Sequence, residues 1–159
     1  LTMEILPRLP EHLGPSAAGC YAEDAQRILV LSYDSFARQG TWFKVPIDRR
    51  MYRSLITHET AHAIAACNFS VTRPTIQAKE YVAYTAMFST MEPALRERIL
   101  QAMPGDGFET EMKINANIYL FDPMYFGVEA YRHYLAEQRG TRYLLSILSG
   151  AVLNHDEAR

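Results

Sequence analysis

A chain of 159 residues, 48% hydrophobic and 21% charged, has the size and make-up of one folded domain, long enough to bury a core without disulfides or metal ions as staples. Its formal net charge is −2 and its arginines are scattered (Arg49 and Arg50, Arg96 and Arg98, Arg139 and Arg142), which leaves no stripe to track a phosphate backbone and excludes nucleic acid as a partner. No apolar run approaches the roughly 20 residues of a membrane-spanning helix, so no membrane span is expected.

The opening residues contain Pro7, Pro10, Gly14 and Pro15 and read as an extended lead-in wrapped over the surface. LTMEILPRLP lacks the basic and apolar regions of a secretory signal, and the chain starts at Leu1. Export to the periplasm or medium after loss of an upstream segment, and cytoplasmic residence, both stay open. Cys20 and Cys67 fit either one bridge in an oxidising compartment or two buried small hydrophobes. GCYA and RILVLSY, separated by Glu23-Asp24, and TWFKV after Gln39-Gly40 predict two or three strands of a small sheet across residues 19–45, closed by Pro46.

Asp48 is an N-cap for a helix through RRMYRSLITHETAHAIAAC that fades at Asn68, with Tyr52, Leu55, Ile56, Ala63 and Ala66 at helical spacing. Thr75 caps a second helix to about Thr90, and Pro93 opens a third, ALRERILQAM, that Pro104-Gly105 ends. MKINANIYLF fits both periodicities and is assigned to helix. Asp122-Pro123 supplies N-cap and first turn of a helix to about Gln138, and Gly140-Thr141 separates it from a short last helix, RYLLSIL. Without repeats or linkers the expectation is a single domain over residues 1–159. Its class is α+β: a small N-terminal β-sheet packed on the His58-bearing helix, then a mainly helical C-terminal half.

That helix carries His58-Glu59-Thr60-Ala61-His62. Positions i and i+4 share a helical face, so the two imidazoles can meet one ion at the ~2.0–2.1 Å that zinc prefers. Glu59 is rotated about 100° from His58 and suits the role of base rather than ligand. Zinc with three protein ligands keeps a position for water and lowers its pKa to roughly 7, and a neighbouring carboxylate can take its proton as it attacks a carbonyl. The three ionisable groups fall on the side that Leu55, Ala63 and Ala66 mark for burial, where unpaired charge is costly.

His58, Glu59 and His62 match the His-Glu-x-x-His motif of the zincin metallopeptidases, which the chain resembles in this motif and in the order of sheet, motif helix and helical half. Ala65 and Asn68 stand where the metzincin branch would continue with glycine and histidine, which excludes that branch. The gluzincin branch takes a glutamate from the next helix, and the resemblance then implies Glu80, in AKEYVAY, as third ligand. Glu80 also shares a face with Tyr84, Met87 and Met91, which turns its carboxylate into the core. NANIYLF, residues 115–121, fits a pattern of the aspzincin branch, but the aspartate segment of that branch is missing and Asp106 is only a reserve ligand. Glu92 and Glu97 read as solvated.

Zincins add a Tyr or His donor beside the metal to hold the oxyanion. The candidates here are His133, then Tyr131, then Tyr84, while His12 and His155 read as bystanders. An extended peptide would pair with a sheet edge, either RILVLSY or TWFKV. The resemblance implies a zinc-dependent peptidase with Zn2+ on His58, His62 and Glu80, Glu59 as general base, and a peptide or protein as substrate. The alternative is a zincin-like domain that binds metal or a protein partner without turnover.

Overall fold

A computed structural model describes residues 1–154. The apolar run Ile28-Leu29-Val30-Leu31 is buried throughout and forms the centre of a three-stranded sheet, as expected of a strand covered on both faces. This strand, β3 (Arg27–Leu31), lies between β1 (Thr2–Leu6) and β2 (Gly19–Ala22) in the order β1-β3-β2. β1 pairs parallel from Thr2↔Arg27 to Leu6↔Leu31, and β2 pairs antiparallel from Gly19↔Val30 to Ala22↔Arg27. The edge of β2 away from β3 has no strand neighbour in this sheet.

The lead-in expected over the first fifteen residues is therefore a strand followed by a 3-10 turn at Glu11–Leu13. Pairing with β3 satisfies its backbone, and the prolines all come after it. RILVLSY ends earlier than its composition suggests, because the Ser32 hydroxyl accepts from the Ser35 N–H and starts α1 (Tyr33–Ala37). TWFKV is two short strands rather than one. β4 (Thr41–Trp42) folds back on β5 (Val45–Pro46) through Phe43 (φ 50°) and Lys44 (φ 58°). Two positive φ values give the reversal a hairpin needs, here without glycine or asparagine. Phe43 is completely buried, its ring edge-on to Tyr84 and Phe88 at 6.0 and 5.3 Å.

Helices make up the rest, as the capping residues forecast. α2 spans Arg49–Ala66, and the Asp48 carboxylate accepts from the N–H groups of Arg50 and Met51. α3 spans Ile76–Thr90 behind Thr75, which accepts from the Ala78 N–H and donates to the Leu153 carbonyl. α4 (Pro93–Ala102), α5 (Ala116–Phe121, capped by Asn115), α6 (Pro123–Ala136, capped by Asp122) and α7 (Thr141–Leu148) complete the half. MKINANIYLF is helical only from Ala116; Glu111–Lys113 is a 3-10 turn.

α2 packs on β2, β3 and α3, and α3 in turn on α6 and α7. Buried side chains from sheet and helices form one apolar cluster around Phe36, Met51, Tyr81, Met87 and Phe126. Cys20 is half-buried and Cys67 exposed, both free thiols, which is neither the bridge nor the buried pair expected. Among the described residues no helix is long and apolar enough to cross a membrane.

Candidate metal centre

Leu55, His58, Glu59, His62 and Ala66 fall at i, i+3, i+4, i+7 and i+11 along α2, a single stripe about 16 Å long. They form the floor of a pocket of about 450 Å³. α3 runs back along α2, so Glu80 comes beside His62 and the Tyr84 ring lies 4.4 Å from that of His58. β2 walls the other side, and Leu13, Trp42 and Tyr119 approach from loops and short elements.

The Nε2 atoms of His58 and His62 are 3.1 Å apart, and the Glu80 carboxylate oxygens lie 3.4 Å from His62 Nε2 and 3.5 Å from His58 Nε2. Two imidazole nitrogens and a carboxylate oxygen within 4.8 Å of one another are a donor set for a divalent ion. Ligand atoms of a tetrahedral site with bonds of about 2.0–2.1 Å are roughly 3.3–3.4 Å apart, close to the spacing of each imidazole from its nearer Glu80 oxygen. All three side chains are at most 13% exposed. Glu80 Oε2 and His58 Nδ1 are buried without a hydrogen-bond partner among the described residues, which is the state a cation at the centre would relieve on the Glu80 side.

Charge follows from this packing. Burial alone would raise Glu80, but the imidazoles of His58 and His62 facing its two oxygens outweigh it and hold the carboxyl far below its ordinary range. Burial alone would lower His62, yet its hydrogen bond to Glu80 and the Glu80 charge leave it raised. Glu59, on the same floor and 5% exposed, has no comparable partner among the described residues. Burial pushes its carboxyl up against the pull of both histidines.

Glu59 is held from above by a glycine. A Cβ built on Gly19 of β2 would lie 2.6 Å from Glu59 Cγ and Oε1, so any other residue there must displace the carboxylate. The Leu31 N–H donates to Ala18 O at 2.9 Å, which fixes the alternation of the ladder. Ala18, Cys20 and Ala22 turn their backbone groups to β3, and Gly19 and Tyr21 turn theirs to the open edge beside the pocket. This edge is the one that borders the pocket. Of the two strands expected in that place, β3 is central in its sheet, and from TWFKV only the Trp42 side chain reaches the pocket.

His133 and Tyr131, expected as oxyanion donors, do not line the pocket. His133 Nδ1 is 2.7 Å from the hydroxyl of Tyr81, which follows Glu80 on α3 and is therefore turned about 100° away from the site. Tyr131 is buried, with its ring stacked on Phe88 at 5.2 Å. Asp106 is exposed and stands outside the ligand cluster; Glu92 pairs with Arg50, and Glu97 and His12 are exposed. His155 lies outside the described residues.

The residue missed by sequence reasoning is Tyr119, on α5. It lines the pocket and sits close enough to Glu80 that, after burial, the carboxylate charge pushes the phenol up. Its one signal was its place in NANIYLF, where Asn115 caps the helix that carries it. Tyr84 also lines the pocket, its ring packed so closely on Gly127 of α6 that a Cβ there would come within 2.6 Å.

Fold and site together define an α+β protein with a buried two-histidine, one-glutamate cluster beneath an open strand edge. The chain belongs to a family of unknown function, DUF6639, whose model matches residues 1–157. No curated protein and no solved structure matches it.

Proposed function

We propose that the protein is a zinc-dependent hydrolase acting on peptide bonds. The observation that carries the reading is the convergence of His58, His62 and Glu80, with donor atoms within 4.8 Å of one another, and a separate buried carboxylate, Glu59, on the same pocket floor. Zinc held by the three side chains would act as a Lewis acid and lower the pKa of a water to about 7. Glu59, buried on the pocket floor beside the three donors, takes the proton released in attack on the carbonyl. Tyr119, which lines the pocket beside Glu80, donates its hydroxyl to the oxygen on which charge develops. The open backbone groups of Gly19 and Tyr21 pair with the substrate main chain.

Metal analysis and one substitution test this. Purified protein should bind one zinc per chain, and Glu59→Gln should keep it while lowering the cleavage rate of a mixed peptide pool by about 10²- to 10⁴-fold. Failure to take up zinc overturns the proposal. Stoichiometric zinc with no cleavage by the wild type supports instead a metal-binding or protein-interaction domain without turnover.

A further inference from the structure

The pocket has two unlike ends. Leu55, Leu13 and Trp42 make one of them apolar. Because α3 runs back along α2, Ile76 and Lys79 lie at the other, beside Ala66. Lys79 is half-buried there and close enough to His62 to oppose its protonation. Among the described residues no carboxylate comes within 4.0 Å of its ammonium group, although Glu23 lines the same end. An unpaired cation in the wall of a pocket is a ready partner for an anion that enters the pocket.

The direction of the strand edge says which part of a substrate that is. β2 begins at Gly19 over Glu59 and proceeds to Tyr21, which lies near Cys67 past the end of α2, so β2 and the α2 stripe run the same way. A peptide adding antiparallel to β2, the commoner pairing, runs from the Lys79 end towards the Trp42 end. Resting on the hydrolase reading above, we propose that Lys79 binds a side-chain carboxylate on the N-terminal side of the cleaved bond, so that the substrates are acidic peptides.

Trp42, the only tryptophan, lines the pocket and reports its occupancy by fluorescence. Zinc-loaded Glu59→Gln protein is titrated with acetylated, amidated peptides that differ only in Glu, Gln or Lys at that position, and with the Gln peptide bearing a free C-terminus. The Glu peptide should bind about three- to tenfold more tightly than the Gln peptide. Lys79→Ala should abolish the difference, Lys79→Arg should retain it, and Lys79→Glu should invert it in favour of Lys. Cleavage by the wild type should show the same preference, with sites mapped by mass spectrometry. An unchanged Glu-to-Gln ratio in Lys79→Glu overturns the assignment, as does discrimination that appears only when the C-terminus is freed. Zinc-loaded protein that binds none of the peptides overturns the peptidase reading itself, and this inference with it.

Discussion

The protein buries carboxylates in two places and treats them in opposite ways. On α6, Glu129 is 4% exposed and completely provided for: Arg132 donates to it at 2.8 Å, the Gly107 N–H donates at 2.9 Å, and Arg132 is itself fixed to the Leu100 carbonyl at 2.8 Å. Beside the pocket floor, Glu80 faces two imidazoles with its Oε2 not hydrogen-bonded, and among the described residues Glu59 has no Lys or Arg partner. Even the covering glycines correspond, with Gly105 against Glu129 and Gly19 against Glu59. A buried charge whose demands the chain meets is a fastening. One left with an unmet demand can take a partner from outside the chain.

The widest separation between the two should come from deleting each acid. Glu80→Ala is expected to weaken zinc binding by more than about 100-fold in a competition titration, since loss of an outer hydrogen bond to a ligand alone costs 10- to 100-fold. In the metal-free protein it should cost less stability than Glu129→Ala does, because the imidazoles it leaves behind can lose their protons. Glu129→Ala should do the reverse, costing about 3–5 kcal/mol in denaturant unfolding through the stranded Arg132 while the folded fraction keeps its zinc. If Glu129→Ala lowers zinc affinity as much as Glu80→Ala does, the two regions are not distinct.

Next in size are the glycines. Gly19→Ala pushes on the Glu59 carboxylate and should lower the cleavage rate by about 100-fold, the cost of a misplacement near 1 Å, with zinc content unchanged. Gly105→Ala, whose Cβ meets Glu129 Oε1, should register in the melting temperature and hardly in the cleavage rate of the folded protein. Equal effects on both readouts would blur the contrast.

Proton linkage is expected to give a smaller effect. In the metal-free protein Glu80 is depressed, so its contribution is present above the ordinary value of 4.5 and lost as pH falls through its native value. His62 is raised, so its contribution is complete below 6.5 and lost as pH rises through its native value. The raised carboxyl of Glu59 acts in the same sense as His62. Metal-free protein should therefore melt highest between about pH 4.5 and 6.5 and lower in mild alkali. Zinc, which competes with the proton on His62, should add most stability on the alkaline side of that window. Identical melting profiles with and without zinc would contradict this.

Much of this was legible in the residues. Asp48, Thr75, Pro93 and Asp122 announce α2, α3, α4 and α6 because a cap acts on its own first turn and needs no distant partner. The spacing that gathers His58, Glu59 and His62 is equally local, and Glu80 lay on the apolar face of the next helix. What escaped depends on distance along the chain. β1 is a strand because β3 pairs with it, and Tyr119 reaches the pocket from 39 residues beyond Glu80. His133 has a helical position like that of a site residue and is turned instead to Tyr81, a difference of one residue on α3 that periodicity over the late helix cannot register.

The turn at Phe43 and Lys44 has a bearing on the order in which the protein folds. Nothing in its own sequence favours two consecutive left-handed residues; what holds them is Phe43, sealed against Tyr84 and Phe88, and the Phe43 N–H directed at Met124 Sδ at 3.1 Å. Those partners lie on α3 and α6, so the hairpin cannot act as a nucleus and waits for the helical half to assemble. Substitutions in it should hasten unfolding and leave the folding rate alone. Trp42 would then be among the last side chains to take its place, and the pocket among the last parts of the protein to close.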